Sequence, residues 1–151
     1  LFREVREKRS LGYYIKASVS WYLDTGLFTI FAGVKTDRLN EAVETIMGEI
    51  KDIAKNGPNT EELALAKSQL QGQIAISLEG SEEIASFLAE EIRHGDKIRQ
   101  PENISKELSK VTTSDIKKLA HDVFVSDKMG LAVIAPKVDK EGLEKLINIG
   151  S

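Results

Sequence analysis

Residues 12–34, GYYIKASVSWYLDTGLFTIFAGV, contain the clearest structural signal in the sequence. From Tyr13 to Leu23, apolar and polar side chains alternate, which is typical of a β-strand with one face on a core. Residues 27–34 are apolar on both faces, as in a strand at the centre of a sheet. The tripeptide DTG at residues 24–26 has the residue types that a tight turn prefers. The pattern therefore predicts an antiparallel hairpin.

Most of the remaining chain has helical periodicity. The residues before Gly12 predict a first helix, because glycine is common at helix C-termini. Asn59 and Glu62 have the spacing of a capping box, and Thr112 can cap a later helix with Asp115 three residues on. Residues 129–136, MGLAVIAP, predict a third strand. The apolar positions that indicate further helices lie at residues 39–53, 63–78, 84–92, 101–108, 116–123 and 142–149.

These elements predict the α+β class, with an antiparallel sheet of about three strands covered by several helices. Residues 1–151 are expected to form a single domain. Because three strands are few for so many helices, we expect residues outside this chain, or a second copy, to complete the sheet. The sequence begins at Leu1, without methionine and already in a helical pattern, which indicates a fragment of a longer protein.

Composition excludes several kinds of function. The 151 residues include no cysteine, so disulfides, thiolate metal sites and a cysteine nucleophile are ruled out. The net charge is −3 with acids and bases interleaved, which argues against a nucleic acid or a membrane as partner. No apolar run approaches the ~18 residues of a membrane span. The composition is that of a soluble globular protein, with the cytoplasm as the default compartment.

Short catalytic motifs give little support for a complete active centre. The DTG tripeptide also occurs in aspartic proteases, but those enzymes need two aspartates within an all-β fold, so a turn is favoured here. The two histidines, His94 and His121, lie on different predicted helices and form no H-E-x-x-H motif or its inverse. Taken as an isolated chain, the sequence predicts no catalytic residue and no metal ligand.

Four segments have a recognisable order and spacing: LFREVREKRSLGY (1–13), DTGLFTIFAGV (24–34), TEELALAKSQLQG (60–72) and VTTSDI (111–116). Together they resemble the M16 family of zinc metallopeptidases, of the LuxS/MPP-like fold. This family includes pitrilysin, insulin-degrading enzyme, the mitochondrial processing peptidases and non-catalytic relatives in the bc1 complex. The resemblance covers nearly the whole chain and is to the latter part of the second, non-catalytic domain.

The resemblance implies that zinc is bound by a first domain with the motif H-x-x-E-H, which is absent here. It also implies that Arg6 and Tyr13, seven residues apart, bind the substrate peptide. The expected partners are a peptide substrate and a homologous N-terminal M16 domain or partner subunit, with a homo-oligomer as a further possibility. Two alternatives remain open: a substrate-clamping domain of an active zinc peptidase, and a scaffold subunit in which Arg6 and Tyr13 are ordinary surface and core-edge residues.

Overall fold

The computed structural model describes residues 1, 3–94 and 98–148. Two strands form one antiparallel hairpin, and most of the other described residues are helical. Short 3-10 turns occur at Thr36–Arg38 and Ser126–Lys128. In chain order the main elements are a π-helix (Arg3–Lys8), β1 (Gly12–Trp21), β2 (Gly26–Val34), α1 (Leu39–Asn56), α2 (Thr60–Ser77), α3 (Ser81–His94), α4 (Pro101–Lys110), α5 (Thr113–Val123) and α6 (Lys140–Leu146).

The α+β class and the hairpin are confirmed, and the DTG tripeptide lies in the turn as expected. The backbone N–H of Tyr22 donates to the carbonyl of Thr25 at 2.9 Å, which closes the loop between β1 and β2. The sheet has two strands in the described part of the chain, so the expectation of about three strands is wrong there. Among the described residues, β2 pairs with β1 alone.

The expected third strand, residues 129–136, is wrong for a related reason. A strand needs neighbouring N–H and C=O groups, and no described strand lies alongside this segment. Met129 and Val133 pack against the core, but the side chain of Ile134 is fully exposed. The apolar character of residues 129–136 was therefore not sufficient to ensure their burial or their pairing as a strand.

The described chain divides into two compact units. The first consists of Leu1–Ser20, Leu27–Gly57 and Lys117–Ser151, and the second of Trp21–Gly26 and Pro58–Ile116. In the first unit, α1 presents the apolar face that its periodicity predicted. Val43, Met47 and Ile50 pack with Leu143 of α6, while Ala42 packs with Val5 and Leu11. These contacts hold the π-helix and the start of β1 beside α1.

The hairpin exposes much of its apolar surface. The alternation in β1 predicted one face on a core, but Tyr13 is 78% exposed and Val19 is 49% exposed. In β2, Leu27 and Phe31 are also exposed. Ile15 is half-buried and packs on the Val5–Leu11–Ala42 cluster. The prediction of a half-buried strand is therefore wrong for most of β1, because few described residues cover the hairpin.

Helix ends in the second unit follow the predicted capping signals. The Asn59 side chain accepts from the backbone N–H of Glu62 at 2.8 Å, and the Glu62 carboxylate accepts from the N–H of Asn59 at 3.0 Å. Thr112 and Asp115 form the corresponding pair before α5. α2 and α3 flank a groove of about 500 Å³ whose lining includes Ile74. None of the described helices combines the length and the apolar character needed to cross a membrane.

The last helix is shorter at its end than predicted. α6 begins at Lys140, where Asp139 caps it by accepting from the N–H of Gly142 at 3.1 Å. It ends at Leu146, so the predicted helix over residues 142–149 is wrong at residues 147 and 148. The expected final residue, Ile149, lies outside the described residues.

Candidate functional site

Arg6 lies on a short π-helix that is fixed by its apolar neighbour in sequence. Val5 is fully buried against Leu11 and Ala42, so this turn of the helix is anchored to α1 and to the start of β1. Arg6 itself is exposed. Single π-turns are rare and occur often at functional sites. The anchoring therefore keeps the Arg6 backbone in place at an exposed position.

The helix ends earlier than the sequence predicted. Lys8 is its last residue, and Ser10 has a positive φ of 49°, the left-handed conformation that commonly follows a helix. The N–H of Ser10 donates to the carbonyl of Arg6 at 3.2 Å, and the N–H of Leu11 donates to Val5 at 2.9 Å. Gly12 is therefore not the residue that ends the helix, and that prediction is wrong.

Gly12 instead allows a close approach between the two strands. A Cβ at this position would lie 2.4 Å from the carbonyl oxygen of Gly33, a distance that real Cβ atoms do not adopt. Gly33 in turn provides space for the ring of Tyr13, because a Cβ there would lie 3.0 Å from the ring carbons. Two glycines thus place the phenol of Tyr13 against the backbone of β2.

Arg6 and Tyr13 line the same surface pocket, which has a volume of about 310 Å³. Its other lining residues are Ser10, Gly12 and Lys35. Neither Arg6 nor Tyr13 is buried, so both can reach a ligand. The pocket brings together the end of the π-helix, the start of β1 and the end of β2. It offers a guanidinium, an ammonium group and two hydroxyls to whatever enters.

Sequence reasoning missed Lys35. The signal was present in the hairpin register, since Tyr22 lies opposite Thr25 at the turn. Counting outwards from that pair along both strands brings Lys35 level with residues 11–12. The observed bond from the N–H of Lys35 to the carbonyl of Leu11, at 3.4 Å, agrees with this register.

His121 forms no metal site with other described residues. His121 is exposed, and its Nδ1 lies 3.7 Å from a carboxylate oxygen of the adjacent Asp122. The side chain of His94 lies outside the described part of the structure. Within residues 1, 3–94 and 98–148, no three histidine, aspartate or glutamate side chains are placed to hold a metal. These residues therefore do not fit zinc.

The fold and the pocket define an α+β chain with a pocket of hydrogen-bond donors and, in its described residues, no metal centre. These features are those of a non-catalytic, ligand-binding domain, and comparison with known proteins agrees with a non-catalytic domain. Residues 1–70 match the family described as the peptidase M16 inactive domain. These residues therefore belong to the inactive domain of M16 peptidases, and the chain is homologous to bacterial zinc proteases at about 30% identity.

Three relatives illustrate the extent of the similarity. An uncharacterized zinc protease of Streptomyces coelicolor is 30% identical over 142 residues, which are 93% of this chain and 30% of the relative. One from Mycobacterium leprae is 28% identical over 149 residues, 99% of this chain and 33% of the relative. One from Bacillus subtilis is 30% identical over 136 residues, 90% of this chain and 33% of the relative. The chain thus spans about one third of the length of these curated relatives.

Proposed function

We propose that this chain is the substrate-clamping part of an M16-type zinc metalloendopeptidase. In this proposal the zinc site belongs to an N-terminal M16 domain or to a partner subunit, and the present chain holds the peptide. The observation that carries the proposal is that Arg6 and Tyr13 line one exposed pocket. The names of the relatives, all zinc proteases, support the parent activity.

The two side chains have complementary chemistry for a peptide backbone. The Arg6 guanidinium is a planar group of N–H donors that can bind peptide carbonyl oxygens. The Tyr13 hydroxyl can donate to a carbonyl oxygen as negative charge develops on it during hydrolysis. Donors held in place before the reaction act most strongly on the transition state. Arg6 therefore orients the peptide, and Tyr13 stabilises the developing charge.

A partner for the hairpin is part of the same proposal. Val19 on β1 and Leu27 and Phe31 on β2 are apolar and exposed, and both strands have an unpaired edge among the described residues. Exposed apolar clusters and open strand edges are usual where another structural element packs. The homologous N-terminal domain, further strands of the parent protein, or a second copy of this chain would each cover this surface.

The scaffold alternative has support from that same apolar surface, because a subunit with a purely structural role also needs it. The pocket supports the clamp over the scaffold. A scaffold gains nothing from Arg6 and Tyr13 lining one cleft, whereas a clamp requires both.

The test uses the full-length parent protein and a fluorogenic peptide. Tyr13→Phe removes only the hydroxyl and is expected to lower kcat about 100- to 1,000-fold with little change in KM, as for loss of one oxyanion donor. Arg6→Gln is expected to raise KM and lower kcat/KM, because it weakens peptide binding.

Two neighbouring residues provide matched controls. Tyr14→Phe and Arg9→Gln make the same chemical changes one and three residues away, at exposed positions that do not line the pocket. Both are expected to keep parent kinetics within about twofold, as for surface substitutions. If Tyr13→Phe and Arg6→Gln behave like these controls, the clamping role is wrong and the scaffold alternative is favoured.

A further inference from the structure

The pocket around Arg6 and Tyr13 contains a second cationic side chain. Lys35 lines the pocket together with Arg6, and Ser10 contributes a hydroxyl. None of the five lining residues is acidic. A site for an uncharged peptide backbone needs hydrogen-bond donors and acceptors, but it does not need two cations. The charge at this site therefore indicates something about the ligand beyond its backbone.

The Lys35 backbone is held in place on both sides. Its N–H donates to the carbonyl of Leu11, and its own carbonyl accepts from the N–H of Arg38 at 3.0 Å. The Arg38 guanidinium binds the Glu41 carboxylate through Nε at 2.9 Å and also donates to the carbonyl of Arg9 at 3.0 Å. These bonds join the end of β2 to the loop just before Ser10. Lys35 thus extends from a fixed point beside the π-helix.

Carboxylates are the peptide groups that best match this set of donors. Arg6 can bind both oxygens of a carboxylate, Lys35 supplies a compact positive charge, and the two hydroxyls can donate to remaining lone pairs. We propose that this pocket binds a carboxylate of the substrate peptide, and that Lys35 makes the parent peptidase prefer acidic substrates at that subsite. This inference rests on the proposed clamping function.

The contribution of Lys35 is expected to be selective. With a neutral side chain in the subsite, Lys35 gains no charge interaction, so Arg6 and Tyr13 alone hold the peptide. With a carboxylate there, an exposed ion pair adds a small free energy that salt weakens. We expect a preference of about three- to tenfold in kcat/KM, which declines as ionic strength rises.

The carboxylate is either an acidic side chain or the C-terminus of the peptide. Cleavage of three peptides by the full-length parent protein distinguishes these two sources. The first has an internal Glu and an amidated C-terminus, the second replaces Glu by Gln, and the third has Gln and a free C-terminus. Faster cleavage of the first peptide than the second identifies the side chain, and faster cleavage of the third identifies the terminal group.

Lys35→Gln is expected to abolish this preference, because it lowers kcat/KM for the acidic peptide more than for the neutral one. Lys35→Glu is expected to reverse it, so that a peptide with Lys in place of Glu is cleaved faster. Lys16→Gln is the matched control, because Lys16 is exposed on β1 and does not line the pocket. Equal cleavage of all three peptides by the wild-type protein, or an unchanged preference after Lys35→Gln, would overturn the inference.

The same experiment distinguishes this failure from failure of the clamping proposal. If Tyr13→Phe slows every peptide but Lys35→Gln is not selective, the carboxylate preference is wrong and the clamp stands. If neither pocket substitution alters any peptide, both proposals fail together.

Discussion

The ring of Tyr13 lies against Gly33. A Cβ added to Gly33 would lie only 3.0 Å from the ring carbons of Tyr13 and 3.1 Å from its phenol oxygen. Tyr13 is nevertheless 78% exposed, so this contact with the neighbouring strand restricts a ring that otherwise faces solvent. Gly33 is therefore expected to position Tyr13.

Gly33→Val tests that role. The added side chain occupies the space of the Tyr13 ring, and the exposed ring can rotate away at little cost. Because valine also suits a strand better than glycine, the free energy of unfolding is expected to change by less than about 1 kcal/mol. In the parent enzyme, kcat is expected to fall several-fold.

The control for Gly33→Val is the same substitution in a Tyr13→Phe background. If valine acts by moving the Tyr13 hydroxyl, it should lower kcat little further once that hydroxyl is absent. Additive losses of kcat in the double variant would instead indicate general disruption of the hairpin.

Gly12 has a stricter requirement than Gly33. Its Cβ would lie 2.4 Å from a backbone carbonyl oxygen, which cannot rotate away as a side chain can. Gly12→Ala is expected to reduce the free energy of unfolding by about 1–3 kcal/mol, the range for overpacked sites. Urea denaturation followed by tryptophan fluorescence measures this, since Trp21 is the one tryptophan in the chain.

A second glycine gives the opposite expectation and serves as the control for Gly12. Gly48 lies within α1, and nothing would contact a Cβ there within 4 Å. Gly48→Ala is expected to stabilise the protein by about 0.5–1 kcal/mol through helix propensity. If Gly12→Ala proves as harmless as Gly48→Ala, the close approach of the two strands is not present in solution.

Local signals in the sequence predicted much of this structure, and the misses have a physical pattern. Capping by Asn59, the turn at residues 24–26 and the buried face of α1 depend on nearby residues, so spacing was sufficient to predict them. The strand status of residues 129–136 and the burial of β1 depend on distant neighbours that cover or pair with them. A local pattern contains no information on whether those neighbours are present.

The pocket was predicted in part for the same reason. Arg6 and Tyr13 were identified from the M16 resemblance, and the structure places both in one pocket. Their substrate role stays a prediction. Lys35 could have been found only by combining the turn with the strand register, because it is distant from both residues in sequence.

The capping box at the start of α2 gives a prediction independent of the pocket. Asn59→Ala removes the side-chain acceptor for the N–H of Glu62, whereas the bond from the backbone N–H of residue 59 to the Glu62 carboxylate needs no asparagine side chain. The expected loss is about 0.5–2 kcal/mol, measured by urea denaturation with helical circular dichroism. Asn56→Ala is a suitable control, since it removes only an exposed bond to Asp52, worth a few tenths of a kcal/mol. Equal losses would mean that the box does not stabilise α2.

If the proposed function is right, metal dependence is expected to separate the full-length parent protein from this chain. A catalytic zinc needs about three protein ligands, and the described residues hold no such group. The isolated 151-residue chain is therefore expected to show no peptide hydrolysis with added zinc, and its thermal unfolding should not shift with zinc or a chelator. In the full-length parent, a chelator is expected to abolish hydrolysis, and zinc to restore it. Zinc-dependent cleavage by the isolated chain would show that this part of the protein holds its own metal centre, and the assignment of Arg6 and Tyr13 to peptide binding beside a distant metal would then be wrong.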